Sequence, residues 1–180
     1  MPRRFLDRRD AGRQLAARLR SYTGVPGGLV FGLARGSVPV AYEVAHALGA
    51  PLDVLYRGER PPLEVQGSVV IMVDDGMATG ATMQAAVEAL RAHRPRSIVV
   101  AVPVASEQAC AASTSAADVC MCLTVPPEVH AVGAAYADFG QTTDDEVRLR
   151  PEEATRHLPE DAGHGAGRSA GRQPATRGAG

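Results

Sequence analysis

Residues 68–82, SVVIMVDDGMATGAT, constrain the fold of this chain more than any other segment. Ser68 opens an unbroken apolar, largely β-branched run to Val73, the pattern of a strand buried on both faces. Asp74 and Asp75 end that run abruptly, and Gly76 and Gly80 supply a turn. Residues 79–93 then place Met83, Ala86, Val87 and Leu90 at helical spacing. Strand, glycine turn and helix in this order predict an α/β sheet, in which ligands bind at the carboxyl ends of the strands.

That turn also has a chemical reading. A helix start presents unpaired N–H groups to an anion, and Thr79 and Thr82 add hydroxyl donors. Two adjacent carboxylates accept hydrogen bonds from vicinal hydroxyls. A phosphorylated sugar satisfies both halves. A P-loop would need a lysine before the Ser/Thr, and a dinucleotide fingerprint would need G-x-G-x-x-G. Neither occurs here, and Asp-x-Asp phosphatase spacing is absent as well. A lone DDG is more often a capped, solvated turn; the strand, acidic pair and T-G-x-T together favour a binding site.

The rest of the chain repeats the alternation. Leu15, Ala16 and Leu19 suggest a helix over 10–21, ended by Pro26-Gly27-Gly28. Residues 29–33 read as a strand. Ser37 is placed to cap a helix with Pro39 in its first turn, burying Val40, Val44 and Leu48 and stopped by Gly49. Strands follow at 52–55, at 97–102 with Pro103 as terminator, and at 119–123, with a short helix at 106–112. Strands alternating with helices predict a mainly parallel sheet flanked by helices. The domain is expected over 1–150, and the Gly/Ala/Arg-rich 151–180 is expected to be disordered.

Composition excludes some classes. Net charge is −1 from 19 basic and 20 acidic residues, which gives no support to nucleic-acid or membrane-surface binding. No apolar run reaches the length of a membrane span, and the N-terminus lacks a signal-peptide core, so a cytoplasmic protein is expected. Aromatics make up 4% of the chain, so a core must come from Ala, Val and Leu. Cys110, Cys120 and Cys122 are too few and too odd for a disulfide framework. Cys120 and Cys122 would share a strand face, but a zinc site would need two further ligands and none is near in sequence. Buried structural thiols are the expectation, and no metal ligand is assigned to the protein.

Residues 70–82, VIMVDDGMATGAT, closely resemble the 5-phosphoribosyl-1-pyrophosphate (PRPP) loop of the type I phosphoribosyltransferases. The resemblance implies that Asp74 and Asp75 bind the ribose hydroxyls. It also implies that Gly76, Met77, Ala78, Thr79, Gly80, Ala81 and Thr82 wrap the 5′-phosphate, mainly through backbone amides. FGLARGSVPVAYEVAHALGAPLDVL resembles the strand, pyrophosphate loop and helix of the same family. Ala34, Arg35, Gly36 and Ser37 occupy that loop, which in the family often carries a non-proline cis peptide. Arg35 is the one evident cation at this end of the sheet. Its guanidinium suits phosphate oxygens.

For the base the resemblance is less specific. Where the hypoxanthine-guanine enzymes carry an Asp before T-G, this chain has Ala78, closer to the adenine-enzyme loop. The segment around 130–139 resembles the hood over the base, which makes Val132, Tyr136, Asp138 and Phe139 candidates for base contact; core packing by Tyr136 and Phe139 is an equal alternative. Between Leu55 and Arg60 the chain is short by several tens of residues relative to that family, in the region of the mobile closing loop. The implied function is Mg²⁺-dependent phosphoribosyl transfer from PRPP to or from a nitrogenous base, with pyrophosphate leaving. A PRPP- or nucleotide-binding regulator, or a catalytically defective truncated relative, is the alternative. PRPP and a nucleobase are the expected partners, and a homodimer is left open.

Overall fold

A computed structural model describes residues 5–55, 64–127, 129 and 131–140. The tail 151–180 and the connector expected between Leu55 and Arg60 lie outside the described residues, apart from Leu55 itself. Five strands form one parallel sheet, β1 (Gly28–Gly32), β2 (Leu52–Val54), β3 (Val69–Val73), β4 (Ser97–Val104) and β5 (Val119–Thr124). Their spatial order is β2-β1-β3-β4-β5, so β3 is central and β2 and β5 are edges. Four helices cover it, α1 (Arg8–Arg18), α2 (Val38–Leu48), α3 (Ala81–Arg91) and α4 (Glu107–Ala116).

The two-residue period of the strands divides the core. Val69, Ile71 and Val73 join Val30 and Val99 beneath Leu15 of α1 and Val40, Val44 and Leu48 of α2. Val70 and Met72 join Leu29, Phe31 and Val100 beneath Met83, Val87 and Leu90 of α3. All five residues of β3 are buried, as expected for a strand covered on both faces. Among the described residues no helix is long and apolar enough to cross a membrane.

Several local expectations are corrected. The first helix starts at Arg8 because the Asp7 carboxylate accepts the Asp10 N–H, and a short 3₁₀ turn at Arg20–Tyr22 follows it. β4 does not stop at Pro103. A proline deletes one ladder donor but its φ suits a strand, and pairing continues from Val102↔Cys122 to Val104↔Thr124. α4 runs on to Ala116, with the Ser106 side chain accepting the Ala109 N–H as its cap. Gly49 does end α2, at φ 63°, in the left-handed region that glycine occupies most readily.

A third, smaller cluster closes the carboxyl end of the sheet. Phe5 pairs with Tyr136 in an isolated parallel bridge, with the Phe5 N–H donating to Ala135 O at 2.8 Å and the Ala137 N–H donating to Phe5 O at 2.7 Å. Phe5, Ala11, Val104 and Tyr136 are buried together there, with Val132 against them. Phe5→Ala is therefore expected to cost about 3–5 kcal/mol in urea unfolding, because Phe5 has no exposed surface. Leu6→Ala, at a side chain 69% exposed, is expected to change stability by less than about 0.5 kcal/mol.

Candidate functional site

At the carboxyl end of β3 the chain leaves the sheet through Asp74 and Asp75. The Asp75 N–H donates to Asp74 Oδ1 at 2.9 Å, and Arg8 Nε donates to Asp75 Oδ2 at 2.8 Å. That ion pair is mostly withdrawn from solvent, with Arg8 12% and Asp75 16% exposed. Tyr136 donates its hydroxyl to the Asp75 carbonyl oxygen at 2.5 Å. Burial, reinforced by the neighbouring Asp75 charge, pushes the Asp74 carboxyl up to about 7.

The turn that follows is built by close approach. A Cβ on Gly76 would lie 2.5 Å from Val132 Cγ1 and 2.7 Å from Val104 Cγ1, so only glycine fits. Met77 is tied into the sheet, its N–H donating to Val104 O and its carbonyl accepting the Ser106 N–H, each at 2.9 Å. Ser106 Oγ donates to Ala78 O at 2.6 Å. Gly80 then adopts φ 75° and opens α3 with no side-chain cap. Its α-carbon faces Ala109, which a Cβ would approach to 3.3 Å. The amino terminus of an 11-residue helix thus stands beside the acidic pair, with Thr79 and Thr82 exposed around it.

Beside this turn lies the loop after β1. Ala34, Arg35, Gly36 and Ser37 form a 3₁₀ turn rather than the expected helix cap. Ser37 is buried and bonds backward, accepting the Ala34 N–H and donating to Ala34 O. No cis peptide bond occurs among the described residues, so the turn is made with trans peptides. The loop and the acidic pair are neighbours. A Cβ on Gly36 would meet Asp75 Oδ2 at 2.7 Å and the Arg8 guanidinium at 3.5 Å.

The structure brings together most of the residues singled out in the sequence and adds one. Arg8 was missed, and Arg35 is not the lone cation at this end of the sheet. Arg8 also lies over Phe139, with Cζ 3.7 Å from the ring centroid, and donates to Gly140 O. The packing of α1 on α2 and the Phe5–Tyr136 pairing, both between distant parts of the chain, carry it there; the doubled Arg8-Arg9 behind Asp7 was the local trace. Met77 is corrected in part, since its amide is already spent on Val104. Of the hood residues, Val132 packs on Gly76 and Phe139 is 39% exposed. Tyr136 is buried and supports Asp75 from behind, the packing role, and Asp138 is exposed with its carboxylate accepting the Gly140 N–H.

A five-stranded parallel sheet flanked by helices, with this turn on its central strand, has the fold of the type I phosphoribosyltransferases. Residues 57–138 match the phosphoribosyl transferase domain model. Two Mycobacterium tuberculosis proteins, from strains CDC 1551 / Oshkosh and H37Rv, are each 34% identical over 214 aligned positions and named "Putative phosphoribosyl transferase". The alignment covers 87% of this chain and 48% of theirs, so the chain spans about half the length of those curated relatives. The crystal structure of TT1426 from Thermus thermophilus is 34% identical, with a TM-score of 0.76 over 83% of this chain and 98% of that one. A purine phosphoribosyltransferase from Pyrococcus horikoshii Ot3 is 25% identical, with a TM-score of 0.50 over 68% of this chain and 88% of that one. The chain belongs to the phosphoribosyltransferase family.

The Asp74 environment has a stability consequence. Folding raises this carboxyl from 3.8 to about 7, so the fold favours the neutral acid. Stability falls as pH rises from about 4 to about 7 and stays reduced above that. Asp74→Asn removes the penalty. At pH 8 the variant is expected to exceed the parent by on the order of 1–3 kcal/mol, and near pH 4 the two converge. Chemical unfolding across pH checks this, and parallel curves would refute it.

Proposed function

We propose that this chain binds PRPP at the Asp74–Asp75 turn and transfers its phosphoribosyl group to, or accepts it from, a nitrogenous base. One observation carries the reading: a carboxylate pair stands beside the uncapped amino terminus of α3, joined to it by a turn that only glycine permits at Gly76. Asp74 and Asp75 accept hydrogen bonds from the ribose 2′- and 3′-hydroxyls. Backbone N–H groups of residues 78–82 and the Thr79 and Thr82 hydroxyls hold the 5′-phosphate. The Ala34–Ser37 turn, with Arg35, receives the pyrophosphate, and Arg8 adds positive charge beside Gly36. Val132 and Phe139 flank the space for the base.

In the transfer a base nitrogen forms a bond to ribose C1, the C1–oxygen bond to pyrophosphate breaks, and the nitrogen's proton passes to solvent. Charge builds on the ribose and the leaving group, so fixed donors and carboxylates stabilise the transition state without a covalent intermediate. The hard oxygen donors of Asp74 and Asp75 fit magnesium, which takes few protein ligands and many from phosphate and water. Bound with PRPP, magnesium supplies neutralisation of the pyrophosphate charge. A cytoplasmic setting, small-molecule partners and neither nucleic acid nor membrane complete the proposal.

A second reading, binding without turnover, is favoured by one feature. An alignment of 214 positions that takes up 87% of a 180-residue chain leaves stretches of the relatives unmatched, and the short run between Leu55 and Arg60 is where the sequence reading puts such a gap. If that segment is the closing loop, water is less well excluded from the site. Calorimetric titration with Mg·PRPP is expected to give saturable binding that weakens at least about tenfold, or 1.4 kcal/mol, in Asp75→Asn. Affinity should also fall as pH drops below about 7, as Asp74 protonates. Pyrophosphate release with a panel of purine and pyrimidine bases then separates the readings. Binding with no release for any base supports the sensor, and no binding at all sinks both.

A further inference from the structure

Three sulfur atoms meet far from the acidic turn in sequence, on the opposite flank of the sheet order from β1 and β2. Cys110 comes from α4, and Cys120 and Cys122 come from the edge strand β5. In sequence the pair on β5 lacked further ligands; the α4–β5 packing supplies a third. Cys122 Sγ lies 3.1 Å from Cys110 Sγ and 3.8 Å from Cys120 Sγ, and all three sulfurs fall within 4.8 Å of one another. Each residue is half-buried, so the cluster is lined by the core yet open to solvent.

We infer that Cys110, Cys120 and Cys122 form a binding site for a single thiophilic d¹⁰ cation, Zn²⁺ or Cu⁺. A zinc–sulfur bond of about 2.3 Å in a tetrahedron places sulfurs about 3.8 Å apart, the Cys120–Cys122 separation already present. The Cys110–Cys122 pair, at 3.1 Å, needs to open by about 0.7 Å to match that spacing. A disulfide would use two of the three sulfurs and leave one over; a cation uses all three. Among the described residues the cluster contains sulfur alone, with no histidine or carboxylate, and an all-thiolate set selects soft ions over magnesium or calcium. Zn²⁺ would take water as its fourth ligand on the open side, and Cu⁺ would remain three-coordinate.

The positions are preorganised from both sides. Register with β4 at Val100↔Cys120 and Val102↔Cys122 puts the two strand sulfurs on one face. α4 is anchored by its Ser106 cap and packs on that face. On binding, each Sγ–H bond breaks as a sulfur–metal bond forms, and the three protons go to solvent, so affinity weakens as pH falls.

The test uses the full chain, reduced and metal-free. Zn²⁺ is titrated against a chromophoric chelator, Cu⁺ anaerobically against a copper(I) chelator, and Co²⁺ as a spectroscopic probe. One equivalent per chain is expected, with sulfur-to-cobalt charge-transfer bands. Cys110→Ser and Cys122→Ser should each weaken uptake by more than about 100-fold, beyond the 10–100-fold typical of losing an outer hydrogen-bonding partner. Should either variant fail to fold, iodoacetamide labelling of the parent decides instead: saturating Zn²⁺ or Cu⁺ should protect all three thiols. Asp75→Asn should retain the full equivalent, which separates this site from the phosphoribosyl site. Substoichiometric uptake, uptake unchanged by the serine variants, unprotected thiols, or a Cys110–Cys122 disulfide forming while the reduced protein takes no metal would overturn the inference.

Discussion

Two carboxylates at the end of a buried strand repel each other and lose water together, and the carboxyl end of this molecule is organised around that cost. Arg8 answers it at Asp75 with a 2.8 Å ion pair, and Tyr136 donates to the Asp75 carbonyl behind it. Asp74 accepts a backbone N–H, and burial beside the Asp75 charge raises its carboxyl to about 7. Removing one partner of a buried ion pair such as Arg8–Asp75 leaves the other charge uncompensated, a larger loss than the pair's own net stabilisation. The arrangement therefore keeps two carboxylates at the end of the central strand only because Arg8, Tyr136 and a backbone N–H surround them.

At the same end of the sheet, packing and the candidate site share residues. Gly76 lets Val132 and Val104 close over the turn, Gly80 lets α3 rest against Ala109, and Ser106 both caps α4 and holds Ala78. Segments from opposite ends of the described chain meet here as well. Phe5 and Tyr136 pair beside Asp75, so the described N-terminal segment and the hood are one structural unit. Arg8 against Phe139 then links the acidic pair to the residue read as covering a base.

What was legible in the sequence was local. Ser68–Val73 could only be a doubly buried strand, and the DDG and T-G-x-T that follow it sat within one strand–turn–helix unit, where neighbours in sequence are neighbours in space. Gly49 stopped α2 where expected, for a backbone reason carried by one residue. The misreadings of Met77 and Pro103 concerned partners elsewhere in the chain. Met77 looked like a phosphate donor until Val104 was found to take its N–H, and Pro103 looked like a terminator until β5 paired past it. Ser37 looked like a helix cap until its buried hydroxyl turned back on Ala34.

The sequence by itself determined the alternation of strands and helices, the doubly buried strand at 68–73 and the acidic glycine turn, because hydrophobic period and turn chemistry act over a few residues. Only the tertiary structure decided what stands around that turn. Arg8 reaches Asp75 across 67 residues, Tyr136 across 61, and Cys110 meets Cys122 through the packing of α4 on β5. No local pattern encodes those distances. They follow from which faces the sheet buries and which chain segments the core draws together.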